Sequence, residues 1–184
     1  PLYSSAASDV YKRQALSIAR NAALENNSPV AIFSLEMSSD QLGTRLLSSE
    51  AKIDQSEARS GRLATSKWKN INIASGKLAQ APLYIDDTPA LSILDLRSRA
   101  RRLKRERNIE LIVVDYLQLM QGPKTENRQY EISSITQSLK ALAKELDIPI
   151  IALSQLSRAV ESEQIKDLNY LILEKVVRLS KMQM

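Results

Sequence analysis

Four short apolar runs, Val30–Leu35, Leu83–Ile85, Leu111–Val114 and Ile150–Leu153, are separated by longer segments of mixed character. A strand that is apolar along its whole length must be covered on both faces, whereas a strand with one wet face alternates. Such strands interleaved with helices read as a parallel sheet between helical layers, an α/β architecture. The connecting segments carry the helix signals this requires. Leu16, Ala19, Ala23 and Leu24 share a stripe on a helix that begins at Ala15 and is stopped by Asn26-Asn27-Ser28-Pro29. Ser38 and Gln41 form a capping-box pattern opening a helix to about Ala51. Ser56–Ala79 reads as helix with a break near Gly61, and Ser92 with Asp95 caps a helix to about Arg107. Ile132, Ile135, Leu139, Leu142 and Leu146 recur at helical spacing. Residues 1–14 follow neither period.

The chemistry open to this chain is restricted. Its 184 residues include no Cys and no His, which excludes disulfides, Cys/His zinc sites, thiol nucleophiles and His-based triads. The four glycines, Gly43, Gly61, Gly76 and Gly122, lie too far apart to form a G-x-x-x-x-G-K-[ST] or G-x-G-x-x-G phosphate loop. A net charge of +5, from 26 Lys and Arg against 21 Asp and Glu, permits a polyanionic partner without requiring one. No apolar run approaches the roughly 18 residues of a membrane span, and no signal-peptide core is present, so a cytoplasmic protein without membrane contact is expected.

In open parallel sheets, ligands sit beyond the carboxyl ends of the strands. The residues to inspect are therefore Glu36, Asp86, Asp87, Asp115, Ser154 and Gln155. Asp115 after Leu-Ile-Val-Val is a Walker B arrangement, in which the strand fixes a carboxylate able to hold Mg²⁺, usually through water. A second carboxylate such as Glu36 can orient and deprotonate an attacking water. A neutral amide such as Gln155 can hydrogen-bond a γ-phosphate and register its loss. The plainer reading of each is a solvated or helix-capping group. The basic run Arg97, Arg99, Arg101, Arg102, Lys104, Arg105 and Arg107 reads as a solvated face around a buried stripe of Leu96, Ala100 and Leu103, with no aromatics for base stacking. Trp68 and Phe33 read as core.

These residues carry a resemblance. VAIFSLEM (30–37), LLSSEA (46–51), YIDDT (84–88), LIVVDYLQLM (111–120), ENRQ (126–129), SLKALAKEL (138–146) and IALSQLSRAVES (151–162) resemble the C-terminal motor domain of the DnaB family of bacterial replicative DNA helicases, near-continuously from Ala15 to about Ser162. The resemblance implies a RecA-like P-loop NTPase core, a mainly parallel sheet flanked by helices. It implies a hexameric ring that uses ATP and Mg²⁺ to translocate on single-stranded DNA and unwind duplex, with a helicase loader and primase as partners. It further implies that Glu36 is the catalytic base, Asp115 the Walker B aspartate and water-mediated Mg²⁺ ligand, and Gln155 the γ-phosphate sensor. Asn127, Arg128 and Gln129 fall in a loop that faces DNA in the family, where an arginine suits sequence-independent phosphate contacts.

The chain departs from the family at both ends. The positions matching the family's Gly-Lys-Thr are Val10, Tyr11 and Lys12, so the Walker A loop and its strand are missing, and Lys12 is one place off. Residues 1–14 look like translated sequencing-adaptor sequence. For Asn169–Met184, a set of codons exists whose reading two bases later gives Leu-Ser-Asp-Phe-Arg-Glu-Ser-Gly-Ser-Ile-Glu-Gln-Asp-Ala-Asp, the family's segment with one Leu-to-Phe change. The expected division is a non-native leader at 1–14, a partial motor domain at 15–162 and a frameshifted tail at 163–184. The expected function is a helicase motor fragment, inactive alone. The rival is a non-catalytic RecA-like module used as a loader or ring-assembly partner. Asp115–Met120 followed by Glu126–Gln129 argues against a recombinase or clock-type ATPase.

Overall fold

The two strands with the most apolar sequences, β1 (Val30–Ser34) and β3 (Leu111–Asp115), lie side by side at the centre of a four-stranded sheet. The computed structural model describes residues 3–60, 63–122 and 128–154. The outer strands are β2 (Leu83–Asp86) and β4 (Ile150–Ala152), giving the order β2-β1-β3-β4 with every pairing parallel. The register sets Val30 beside Leu83 and Leu111, and Ser34 beside Asp115.

Six helices connect the strands: α1 (Tyr3–Glu25), α2 (Ser39–Ala51), α3 (Gln55–Ser60), α4 (Thr65–Gln80), α5 (Ile93–Arg107) and α6 (Arg128–Leu146). Residue parity divides the core in two. Val30, Ile32, Leu111 and Val113 pack with Ala15, Leu16, Ala19 and Ala23 of α1 and Leu42 and Leu46 of α2. Ala31, Phe33, Ile112 and Val114 pack with Leu96 and Ala100 of α5 and Ile135, Leu139 and Leu142 of α6. Period-two alternation along each strand thus feeds both helical layers, which is why these strands carry no polar face.

Local signals fix the helix ends. Ser38 accepts from the Gln41 N–H, and the Gln41 side chain accepts from the Ser38 N–H, a complete capping box. Asp87 adds a third contact by accepting from the Ser39 N–H at 2.7 Å. Ser92 caps α5 through the Asp95 N–H, and Asn108 ends that helix in the left-handed conformation.

Two expectations need correction. Helix α1 starts at Tyr3 rather than Ala15. Residues 3–14 contain no Gly or Pro, so once Leu16, Ala19 and Ala23 dock, nothing in the preceding sequence breaks the helix. Trp68 is 49% exposed, whereas Phe33 is buried as expected. Helix α4 packs chiefly against α2, and Ala74 is its one buried residue, so Trp68 sits on the outer side of an outer helix.

The basic stretch of α5 is largely engaged within the fold. Arg101 makes two hydrogen bonds to Glu145, at 2.6 and 2.9 Å, and Arg97 lies 3.5 Å from the same carboxylate. Lys104 donates to the Ile109 carbonyl, and Arg107 lies over the Tyr84 ring. Parity turns Asp86 towards α5, where the Arg99 guanidinium contacts both its oxygens, at 2.8 and 2.7 Å, and the Thr88 hydroxyl at 2.6 Å. Burial raises the Asp86 carboxyl, but the hydrogen bonds from Arg99 and Thr88 and the Arg99 charge outweigh it and hold it below the ordinary aspartate range.

Replacing Arg99 by Ala is expected to cost about 1–2 kcal/mol at pH 7, the scale of charge-assisted hydrogen bonds in a partly exposed setting. A carboxyl depressed in the folded state contributes its stability above its unfolded value of about 4, and loses it as pH falls through the folded value. Urea unfolding at pH 7 and at about pH 3 should therefore show the penalty of Arg99→Ala shrinking in acid.

Candidate functional site

The carboxyl end of the sheet is extended by a ladder of main-chain hydrogen bonds. The Leu35 N–H donates to the Asp115 carbonyl at 2.7 Å, Leu153 to Val114 at 2.9 Å, and Leu117 to Leu153 at 3.0 Å. These bonds fix where Glu36, two residues past β1, stands relative to Asp115, the last residue of β3. Asp115 continues the odd-numbered series Leu111 and Val113, so it belongs to the side of the sheet covered by α1 and α2. It is 5% exposed, and its Oδ1 has no hydrogen-bond partner in the protein. The Asp115–Tyr116 peptide bond is cis.

Lys12 is the residue that joins the two acids. It lies on α1 at positions −4, −7 and −11 from Leu16, Ala19 and Ala23, so it prolongs the buried stripe of that helix by one turn. Its ammonium pairs with Glu36 Oε2 and stands 5.1 Å from the centre of the Tyr116 ring. The Lys12 side chain is only 12% exposed, against 45% for Glu36. Burial pushes the Asp115 carboxyl above the ordinary aspartate range, and the Glu36 charge pushes the same way. The charges of Lys12 and Arg45 oppose them without reversing the shift.

Sequence reasoning sets Lys12 aside because no loop aims it. A helix aims it instead, and the stripe spacing is the signal that could have found it. Arg45 and Tyr116 are also absent from the sequence-derived candidates. Neither shares a motif with Asp115 that spacing alone would reveal.

Arg128 and Gln129 open α6. The Arg128 guanidinium donates to the Gln118 carbonyl at 2.5 Å and the Met120 carbonyl at 3.4 Å, and pairs with Glu131. Glu131 in turn accepts from the Gly122 N–H at 2.8 Å. Arg128 therefore grips the segment that leaves β3, while its side chain stays 46% exposed. The Gln118 amide donates to the Ser154 hydroxyl at 2.8 Å, tying that segment to the end of β4. Gln155 and Asn127 lie outside the described residues. Asp86 and Asp87, also candidates by position, are occupied by Arg99 and Thr88 and by the Ser39 N–H.

The residues can be tested for fit to a magnesium nucleotide. The unpartnered, buried Asp115 oxygen suits a cation or its bound water. A triphosphate does not fit. It needs convergent free N–H groups from a loop at a helix start, but α1 is already helical through Val10, Tyr11 and Lys12, whose N–H groups lie beyond its first turn. The described residues contain no cluster of three acidic, Cys or His groups that could hold a metal unaided.

Residues 12–169 match the family described as DnaB-like helicase C terminal domain. The chain is 52% identical over 154 residues to the replicative DNA helicase DnaB of Geobacillus stearothermophilus, covering 83% of this chain and 34% of that protein. It is 56% identical over 138 residues to that of Rickettsia typhi, covering 74% and 28%. The chain thus spans about a third of the length of the curated relatives it matches. Among solved structures, a DnaB-like replicative helicase, described with its interactions with primase, superposes with a TM-score of 0.76 at 33% identity, covering 84% of this chain and 38% of that one. A second solved structure, an isolated ATPase domain, gives the same TM-score and identity and is covered to 56%.

Asp115→Asn is expected to raise the melting temperature at pH 7. A carboxyl raised by burial holds its proton more tightly when folded, so stability falls as pH rises from the unfolded value of about 4 through the folded one. Asn removes that cost, and the gap between variant and parent should narrow below about pH 4. Thermal unfolding followed by circular dichroism at the two pH values checks both points.

Proposed function

Because the chain belongs to the DnaB-like helicase C-terminal domain family, whose RecA-like fold it shares, we propose that it is a portion of the motor domain of a replicative DNA helicase. The observation that carries the reading is the placement of Glu36 and Asp115 at adjacent strand ends, joined by the β1–β3 ladder. In that reading ATP and Mg²⁺ are the cofactors, single-stranded DNA is the track, and six copies form the working ring, with a loader and primase as further partners. A cytoplasmic location follows from that role. Among the described residues no helix is long and apolar enough to cross a membrane.

The residues divide the work as follows. Asp115, fixed by its strand and short of hydrogen-bond partners, would hold Mg²⁺ through water, and the metal would supply charge neutralisation at the phosphates. Glu36, more exposed and flanking the same place, is the base that would take a proton from an attacking water. Gln155 serves as the γ-phosphate sensor, following Ser154 in sequence. Arg128 and Gln129, with Asn127, contact the DNA backbone from the start of α6. Arg128 can do so with its exposed edge while its other donors hold Gln118 and Met120.

The phosphate grip is the missing part. Phosphoryl transfer depends on positioning and charge stabilisation more than on covalent chemistry. With α1 helical at Val10–Lys12, the described residues offer no backbone cradle for a triphosphate, and the chain is proposed not to turn over ATP.

A DNA-stimulated ATPase assay tests this. The chain as given should show no turnover, and correcting the reading frame of the tail alone should not change that. Supplying in addition a G-x-x-x-x-G-K-[ST] loop with its strand should restore hydrolysis. Glu36→Gln in the repaired protein should then lower turnover by about 10²–10⁴-fold, the usual worth of a general base, while leaving nucleotide binding intact. Turnover by the unrepaired chain that disappears on Asp115→Ala would overturn the proposal.

A further inference from the structure

We propose that the Lys12 ammonium is a built-in counter-ion filling the cation position between Glu36 and Asp115, so that this acid pair accepts a divalent cation only when the ammonium is removed. The inference rests on the reading of Glu36 and Asp115 as the cation-handling acids of the site. It concerns a residue that stands where the family carries a threonine.

Three observations converge on it. The ammonium pairs with Glu36 while sitting over the ring of Tyr116, the residue next to Asp115. The Lys12 side chain is far more buried than that of its partner Glu36, so α1 and the sheet end hold it in place rather than leaving it as a solvated surface pair. Lys12 also exerts the largest influence favouring the charged form of Asp115, ahead of Arg45.

An ammonium is a compact point charge with three donors, and it can satisfy carboxylates in place of a metal ion. It cannot share that place with one. A divalent cation arriving beside it meets a like charge in a water-poor setting, where repulsion between close charges is strong. Arg45 adds a second positive charge acting on Asp115, so the parent site is over-neutralised towards metals. Removing Lys12 leaves two carboxylates with one nearby cation.

Terbium(III) is the probe, because its emission is sensitised by a nearby tyrosine and Tyr116 lies beside the ammonium's place. Titrating the full 184-residue chain and its Lys12→Gln variant, with excitation of tyrosine, should show at least about tenfold tighter binding in the variant, the effect of removing one nearby repulsive charge. Millimolar Mg²⁺ should compete. Lys12→Arg, which keeps the charge and the length, should behave like the parent, and circular dichroism establishes that each variant is folded. Asp115→Asn added to Lys12→Gln should abolish the tight binding. Equal affinity of the parent and Lys12→Gln would overturn the counter-ion role. If Asp115→Asn still removed the binding in that case, the acid pair would stand as a cation site without a plug. Binding indifferent to Asp115→Asn would instead sink the reading of the site on which the inference rests.

Discussion

Everything in this fold depends on the pairing of β1 with β3. Their five-residue register, Val30 beside Leu111 through Ser34 beside Asp115, is the one place among the described residues where two wholly buried strands meet. It decides which side chains enter each helical layer, and so which helices can be recruited. Slipping the register by one residue would exchange the two core sets and leave Asp115 among the apolar side chains of α5 and α6. Sequence and fold reinforce each other here: the apolar runs are short enough to be strands and unbroken enough to need two coats.

Much of this is legible in the sequence, and the exceptions have physical causes. The four strands, the caps at Ser38 and Ser92 and the stripe of α6 all follow from local pattern, which the tertiary structure respects. Helix α1 begins earlier than its pattern suggests because its first half has no apolar period, although nothing in it resists helix formation. Trp68 departs from expectation because apolar character says that a residue is worth burying, not that its helix lies deep enough to bury it. Glu36 and Asp115 can be chosen from strand-end logic. Lys12 cannot be chosen by matching it to a loop, since its position comes from a helical stripe. Gln155 and Asn127 lie outside the described residues, so the site is described through Glu36, Asp115, Arg128 and Gln129.

Charge is handled differently in the two layers. On the α5 side, Arg97, Arg99, Arg101, Lys104 and Arg107 find internal partners in Glu145, Asp86, the Ile109 carbonyl and the Tyr84 ring. The formal positive charge of that helix therefore overstates its pull on a polyanion. On the α1 side, opposite charges gather at the sheet end, where Asp115 is buried deeply enough that its ionisation is disfavoured. The first arrangement pins elements together. The second keeps an acid short of partners, a condition structural ion pairs avoid.

Gln118 gives the segment after β3 a mechanical character. Its side-chain amide is fastened to Ser154 at the end of the last described strand, and its main-chain carbonyl is fastened to Arg128 at the head of α6. From the other side, the Ile93 and Gln121 N–H groups clip the same segment to the start of α5. The segment works as a crossbar rather than a slack tether. A displacement of Ser154 must either break a hydrogen bond or drag the crossbar, and dragging it levers the first turn of α6. Two bonds through a single residue thus set a short path by which events at one strand end reach a helix that begins on the far side of the loop.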